Sequence, residues 1–358
     1  MQKIHLEIIN QCNLKCSFCP PVERPAHRMS PALFEMALKQ VSPLTSMVCL
    51  HLMGEPLSHP ELPTLINLCY RHGIKIFMVT NGLLLRGPMH ELLLHPAFFQ
   101  VNISLHSFAD NFPERDPSRY LDQIFTFTEK ALRARPDLYI NFRLWNLSPD
   151  PNPMAGAENP TYIDNPTDRT QQQPLSRQSS DPAEASRAKE NGASCPSHTT
   201  PHAPTRTPSQ QPHPTPHPEL NQKILAAVGA RFAPDLMNKL AVAKPSRFNR
   251  GLRRGVHLQS RLYVHFDGQF TWPHLELPSL GTSGTCYGLQ SHCGILSDGT
   301  VVPCCLDKEG TINLGNIRDQ SLSEILNSPR ARKLRSGFAR GQLVEPLCQR
   351  CNYIQRFI

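Results

Sequence analysis

The sequence has no long apolar run: no stretch of about 20 apolar residues occurs in its 358 residues. A helix needs that length to cross a bilayer, so the sequence predicts no membrane span. The first residues, 1–9, alternate like a β-strand and lack the regions of a signal peptide. We therefore expect a cytoplasmic protein, whose thiols stay reduced and available to a metal.

The excess of one charge sign is also small, since 37 basic residues against 29 acidic ones give a net charge of +8 over the whole chain. Basic residues gather in residues 247–261 and 330–340, and these runs suit either a solvated face or an acidic or RNA partner. No nucleic-acid-binding motif accompanies them. We interpret them as solvated faces and expect no specific nucleic-acid partner.

Cysteine, in contrast, is plentiful, and three of the 12 cysteines are closely spaced near the N-terminus. Cys12, Cys16 and Cys19 follow a predicted strand with the spacing C-x3-C-x2-C. Three thiolates can hold three irons of a cubane cluster and leave the fourth iron open to another molecule. A zinc knuckle fits less well, because zinc takes four ligands. A disulfide framework does not suit three thiols in a chain without a secretory segment.

Strand and helix patterns alternate through residues 1–148 and resume in residues 219–275. This alternation predicts a parallel α/β sheet, open or curved into a barrel, with its site at the carboxyl ends of the strands. The predicted strands are 4–9, 47–53, 74–80, 101–106, 138–145 and 261–266, and the predicted helices are 32–41, 60–72, 89–94, 120–135 and 221–242.

Residues 149–218 interrupt this pattern. They contain 15 of the 35 prolines and many Gln, Ser, Thr and His residues. Too few apolar side chains remain to offset the entropy lost on ordering such a segment. We therefore predict a disordered insertion within the α/β unit.

The cysteine spacing, with Phe18 directly before the last cysteine, resembles the signature of the radical S-adenosylmethionine (SAM) superfamily. The resemblance implies a [4Fe–4S] cluster held by Cys12, Cys16 and Cys19, with SAM on the fourth iron and Phe18 beside its adenine. It also implies a partial (β/α)6 TIM-like barrel. An external one-electron reductant of the flavodoxin or ferredoxin type is the implied partner.

Four further residues match the family's SAM-binding positions. Gly54 and Glu55 follow the second predicted strand, where the family binds the SAM amino group. Ser104 and Arg143 lie on the fourth and fifth predicted strands, where the family contacts the ribose and carboxylate of SAM. A packed strand serine and an ion-paired arginine are the alternatives. His106 is also placed on the fourth strand, as a substrate-facing or a purely structural histidine.

A second set of cysteines lies near the C-terminus, where Asp298-Gly299 predicts a β-hairpin and Cys348-x2-Cys351 forms a knuckle. From spacing alone, a four-cysteine zinc site and an iron–sulfur cluster both remain open. The six cysteines are Cys286, Cys293, Cys304, Cys305, Cys348 and Cys351.

After a radical SAM core, residues 276–358 resemble a small α+β auxiliary-cluster extension of the SPASM or twitch type. The resemblance implies one auxiliary [4Fe–4S] cluster on Cys286, Cys304, Cys348 and Cys351. Cys293 is the alternative to Cys286. The remaining cysteine of the hairpin, at position 305, is expected to point to the opposite side of an extended strand.

Together these resemblances imply an enzyme that reductively cleaves SAM to a 5′-deoxyadenosyl radical and takes a hydrogen from its substrate. The cofactors supply the reactivity, and the protein orients them and excludes water. The expected outcome is the oxidation or modification of a peptide, a protein or a small molecule. An iron–sulfur electron-transfer or scaffold protein, or a zinc-binding C-terminal module, is the alternative without radical chemistry.

Overall fold

Nine strands form one sheet in the computed structural model, whose described part comprises residues 1–147, 218–236, 238–239, 253–268 and 270–357. All these residues belong to one unit, Met1–Thr161 with Pro214–Ile358. The predicted insertion, residues 149–218, lies outside the described residues except at its last position. The strands are β1 (Lys3–Leu6), β2 (Met47–Cys49), β3 (Lys75–Thr80), β4 (Phe98–Ser104), β5 (Tyr139–Leu147), β6 (Arg253–Gln259), β7 (Leu262–Gly268), β8 (His292–Ile295) and β9 (Val301–Val302).

Eight α-helices accompany the sheet in the described part of the chain. The helix over residues 31–41 starts where its sequence predicts, because the Ser30 side chain accepts a hydrogen bond from the Leu33 N–H. Every described helix is too short or too polar to cross a membrane. The helices are α1 (Pro31–Val41), α2 (Leu62–Arg71), α3 (Pro88–Leu93), α4 (His106–Asn111), α5 (Ser118–Ala134), α6 (Pro218–Phe232), α7 (Leu322–Leu326) and α8 (Pro329–Ala339).

The strand order is β6-β7-β5-β4-β3-β2-β1-β8-β9. Strands β1 to β5 and β7 run parallel, which confirms the predicted α/β architecture. Strand β6 is antiparallel to β7, so the sixth predicted strand is in fact one arm of a hairpin. Its partner lies in the basic run 247–261, whose charge masks its strand character.

The C-terminal hairpin β8–β9 continues this sheet. Strand β8 pairs in parallel with β1, in a register that places Lys3 opposite His292 and Leu6 opposite Ile295. Without β8, the backbone groups of one side of β1 would form an open sheet edge. The predicted turn is present, with Gly299 at φ 96°.

Alternation along β1 and the two residues that follow it separates two environments. Ile4, Leu6 and Ile8 are fully buried in the main core, beneath the helices. His5 and Glu7 point to the opposite face, where polar side chains of other strands gather. The carboxyl ends of the parallel strands border this polar face.

The prediction that His106 lies on the fourth strand is wrong. Strand β4 ends at Ser104, Leu105 adopts helical angles, and His106 begins helix α4. The apolar pattern of β4 does not predict the change from strand to helix after Ser104. The helix α4 contacts the cysteine loop, and such tertiary contacts are not encoded in a local pattern.

Candidate metal centres

The three N-terminal cysteines lie on a loop that follows β1 at the carboxyl edge of the sheet. Cys12 and Cys19 are exposed and Cys16 is half-buried. The Cys19 N–H donates to the Cys16 carbonyl at 3.1 Å, which turns the backbone within the motif. Solvent therefore reaches this loop, and a metal cluster could bind its three thiols there.

The thiols of this loop lie close to one another. Burial of the sulfur, together with the charges of neighbouring thiols and of Asp110, raises the pKa of Cys16 to about 11 and that of Cys19 to about 12. The nearby Arg143 opposes this rise at Cys19. The thiols are therefore protonated at neutral pH until a cation displaces their protons.

Helix α4 holds the cysteine loop from the side. Asp110 accepts a hydrogen bond from the Ser17 N–H at 2.7 Å and another from the Ser17 hydroxyl. The Asn111 side chain accepts one from the Lys15 N–H at 3.0 Å. Sequence reasoning missed both side chains, because it placed the start of α4 in a strand.

Gly54 lies against the backbone that leads into the cysteine loop. A Cβ at this position would stand 2.2 Å from the Ile9 carbonyl oxygen and 2.8 Å from that of Gln11. The residue also has φ +77°, which favours glycine. Glu55 N–H donates to the Gln11 carbonyl at 2.9 Å. This close approach fixes the Gly-Glu turn directly beside the triad.

The Glu55 carboxylate is 2 % exposed and accepts three hydrogen bonds. Oε1 accepts from the Leu57 N–H at 3.0 Å and the Thr80 hydroxyl at 2.7 Å, and Oε2 accepts from the Asn81 N–H at 2.8 Å. A carboxylate offers about four acceptor positions, so the described contacts leave about one on Oε2. The role of Glu55 at the SAM amino group stays a prediction.

Ser104, Arg143 and His265 stand side by side on β4, β5 and β7. His106 packs against Phe18 with ring centroids 5.1 Å apart, and its Nδ1 lies 3.1 Å from the Arg143 carbonyl oxygen. Burial, and then the Arg143 charge, lowers the pKa of His106 to about 3, so its ring is neutral at pH 7. Alternation along β7 is the signal that could have identified His265.

Five C-terminal thiols gather in a second group. Burial raises the pKa of Cys304 far above its usual value, and the charges of Cys286, Cys305, Cys351 and Cys348 raise it further. The Cys305 charge also raises the pKa of Cys286, and the expectation that the Cys305 side chain points to the opposite side stays a prediction. The chain bends directly after β9, so the alternation of an extended strand no longer applies.

Cys293 occupies a different environment. It is fully buried in the main core and stands opposite Ile4 in the pairing of β8 with β1. Among the described residues, no group of three or more His, Cys, Asp and Glu side chains is arranged around a single metal ion.

A buried ion pair joins the N-terminal loop to the C-terminal hairpin. Glu7 is fully buried and accepts from Arg24 Nη2 at 2.9 and 3.0 Å. The Ser297 N–H and hydroxyl donate to the same carboxylate at 3.2 and 3.0 Å. Glu7 therefore links three segments: the carboxyl end of β1, the end of the cysteine loop and the turn after β8.

A second set of contacts extends this link. Arg24 Nε donates to the Lys308 carbonyl at 2.7 Å, and Lys308 Nζ donates to the Pro21 carbonyl at 2.9 Å. Glu309 accepts from the N–H groups of Glu23 and Arg24 at 3.1 and 3.2 Å. Residues 308–309, which follow Cys304 and Cys305, thus hold residues 21–24, which follow the N-terminal triad.

Family models match the two regions that carry these thiols. Residues 6–145 match the radical SAM superfamily, and residues 286–352 match SPASM, an iron–sulfur cluster-binding domain. The chain is a radical SAM enzyme with a SPASM domain. Membership implies a [4Fe–4S] cluster with SAM, and auxiliary iron–sulfur clusters in the SPASM domain. The exposed triad beside the Gly54 turn and the group of five thiols fit these cofactors.

The fold is similar to that of BtrN, and two further solved structures align with lower scores. BtrN in complex with AdoMet and 2-DOIA aligns with a TM-score of 0.51 and 14% identity, covering 98% of this chain and 93% of BtrN. Streptococcus suis SuiB bound to its precursor peptide SuiA aligns at 0.48 and 14%, covering 98% and 72%. The anSMEcpe structure with AdoMet aligns at 0.47 and 14%, covering 99% and 87%. No curated protein matches the chain.

Proposed function

We propose that this radical SAM enzyme oxidises or modifies a peptide, a protein or a small molecule, with its auxiliary cluster accepting an electron. When bound, the first cluster supplies the electron that cleaves SAM to methionine and a 5′-deoxyadenosyl radical, which takes a hydrogen from the substrate. The exposed three-cysteine loop at the carboxyl edge of the sheet is the observation that carries this proposal.

The chain's own residues orient SAM at this edge. We assign Cys12, Cys16 and Cys19 to the cluster, whose fourth iron they leave to SAM. Gly54 lies closely against the backbone before the triad and Glu55 is buried, which supports a role of this turn in binding the amino group of SAM. Backbone carbonyls and the remaining acceptor position of Glu55 suit an ammonium group.

We assign the remaining SAM contacts to strands β4 and β5 and to the Phe18–His106 pair. Arg143 is close enough to Cys19 to oppose the rise of its pKa, which supports a guanidinium that meets the SAM carboxylate. Ser104 stands next to it and is assigned to the ribose. Phe18 packs on neutral His106, and this pair forms an apolar surface for the adenine.

The auxiliary cluster is assigned to Cys286, Cys304, Cys348 and Cys351. Four protein ligands close all four irons, which suits electron transfer more than direct substrate binding. We divide the chain into a radical SAM core of residues 1–148 and 219–275, interrupted by the insertion, and an auxiliary-cluster domain of residues 276–358. A flavodoxin- or ferredoxin-type protein is the proposed reductant.

The polar face of the sheet is the proposed position of the substrate. Gln100 and Asn141 each donate to the Asn102 side-chain oxygen, at 3.0 and 2.8 Å, so buried amides line it. BtrN, which has a similar fold, was solved with AdoMet and 2-DOIA. A small-molecule substrate is therefore to be tested beside a peptide.

Anaerobic incubation of the reconstituted enzyme with SAM and dithionite tests the proposal. We expect 5′-deoxyadenosine and methionine from the wild type and neither product from Cys16→Ala. Metal analysis of the same sample is part of the experiment, since zinc in the C-terminal group would replace the auxiliary cluster. A wild type with intact clusters that releases no 5′-deoxyadenosine would favour the electron-transfer or scaffold alternative.

A further inference from the structure

Two asparagine side chains direct N–H groups at sulfurs of the N-terminal triad. Asn111 Nδ2 lies 3.1 Å from Cys16 Sγ, and Asn81 Nδ2 lies 3.8 Å from Cys12 Sγ. We propose that Asn111 sets the reduction potential of the N-terminal cluster by donating to Cys16, and that Asn81 adds a smaller contribution at Cys12. This inference rests on the proposed function, because it requires the triad to hold the cluster.

The orientation of the Asn111 amide is fixed by its other partners. Its Oδ1 accepts from the Lys15 backbone N–H at 3.0 Å, and a backbone N–H can only donate. Its Nδ2 donates to the Ser107 carbonyl at 2.9 Å, and a carbonyl can only accept. A flipped amide would lose both bonds, so the sulfur of Cys16 meets N–H rather than oxygen.

The Asn81 amide is also fixed, but its sulfur contact is weaker. Its Oδ1 accepts from the Leu83 N–H at 3.0 Å, and its Nδ2 donates to the Asn13 side-chain oxygen at 2.8 Å. The 3.8 Å separation from Cys12 is long beside the 3.1 Å contact of Asn111. Since hydrogen bonds weaken with distance, the two asparagines form a graded pair.

The sign of the effect follows from the charge of the cluster. Reduction adds one negative charge, which spreads onto the cysteine sulfurs. An N–H donor stabilises that charge and makes the cluster easier to reduce, as hydrogen bonds to cluster sulfurs generally do. Removing the Asn111 amide should therefore shift the potential to more negative values, and a carboxylate in its place should shift it further.

Potentiometric titration followed by electron paramagnetic resonance tests this inference on the full chain. The N-terminal cluster is identified as the one whose reduced signal changes on adding SAM. For Asn111→Ala we expect about a tenfold lower ratio of reduced to oxidised cluster at a given potential, which is about 59 mV for one electron. Asn111→Asp should shift the potential further in the same direction, and Asn81→Ala should shift it less than Asn111→Ala.

Asn10→Ala is the matched control. The Asn10 side chain closes the same loop by donating to the Pro25 carbonyl and accepting from the His27 N–H, both at 2.8 Å, and its described bonds involve no cysteine. We expect its potential to equal that of the wild type. The potential is measured only on protein that contains the cluster. It can therefore still be determined if a variant incorporates less cluster than the wild type.

The outcomes separate this inference from the proposed function. An unchanged potential in Asn111→Ala, or a shift matched by Asn10→Ala, overturns the role of Asn111. If Asn111→Ala cannot be loaded at all, Asn81→Ala decides: a negative shift supports the donor mechanism, and no shift refutes it. A wild type without a SAM-responsive cluster contradicts the proposed function itself.

Discussion

The two cysteine groups differ in number and in enclosure. The N-terminal group has three thiols on an exposed loop, whereas the C-terminal group has five thiols, with Cys351 buried and the others half-buried. Three ligands leave one iron of a cubane cluster open, and four ligands close it. The difference shows how one chain can combine a cluster that binds a cofactor with one that only transfers electrons.

The two groups are also held differently. The N-terminal loop depends on side chains from remote segments, Asp110 and Asn111 of α4 and the Glu7–Arg24 pair. The C-terminal thiols all lie within residues 286–351, where burial raises the pKa of Cys304. We therefore expect the N-terminal group to be more sensitive to distant substitutions.

Removing one ligand from each group should give the largest and most different effects. Cys16→Ala should abolish SAM cleavage, because two thiols cannot keep the open cluster in place. Cys348→Ala should retain SAM cleavage and lose substrate oxidation. Chromatographic assay of 5′-deoxyadenosine with dithionite measures the first activity, and equal loss of cleavage in both variants would break the comparison.

Adding a methyl group at Gly54 tests how tightly the N-terminal site is built. Gly54→Ala places a Cβ 2.2 Å from the Ile9 carbonyl oxygen, so the backbone beside the triad must move. A displacement of about 1 Å at a reacting centre can lower a rate about 100-fold, and we expect at least that loss of SAM cleavage.

Gly73→Ala is the control for backbone conformation. Gly73 has φ +66°, and a Cβ added there would meet no atom within 4 Å, so its substitution adds strain without a clash. It should cost about 1 kcal/mol of stability and leave SAM cleavage unchanged. If both variants lose cleavage equally, strain rather than the close contact explains the result at Gly54.

Breaking the Glu7–Arg24 pair should affect stability and the link between the two groups. Glu7→Gln removes the fully buried charge partner of Arg24 and leaves it the more distant Glu309 carboxylate, 3.9 Å from its Nε. Breaking a buried pair costs about 3 kcal/mol in typical cases. Chemical denaturation of the apo-protein measures this loss. Glu35→Gln removes an exposed partner of Lys39 and should cost about 0.5 kcal/mol or less. Equal losses would show that the buried pair contributes no more than a surface one.

Substitution of Cys305 should have the smallest effect. Four of the five thiols suffice for a cluster, so Cys305→Ala should keep the iron content of the wild type, whereas Cys304→Ala should lose about four irons. Iron and sulfide analysis separates the two. Loss of iron from Cys305→Ala would instead make Cys305 a ligand.

Much of this arrangement could be predicted from the sequence. The parallel α/β sheet, the Ser30 cap and the hairpin turn follow from local patterns. The contacts of Asn111 and the pairing of β8 with β1 join residues far apart in the chain, and no local pattern encodes them. The extended strand assumed at Cys305 is wrong, because the backbone bends directly after β9.

One measurement tests the central difference between the two groups most directly. Mössbauer spectra of the ⁵⁷Fe-reconstituted wild type, recorded with and without SAM, show which irons bind SAM, and metal analysis of the same sample counts iron and zinc per chain. We predict about eight irons per chain, with one iron of one cluster changed by SAM and the other cluster unaffected. About four irons with one zinc, or no change on adding SAM, would contradict the assignment of an open and a closed cluster.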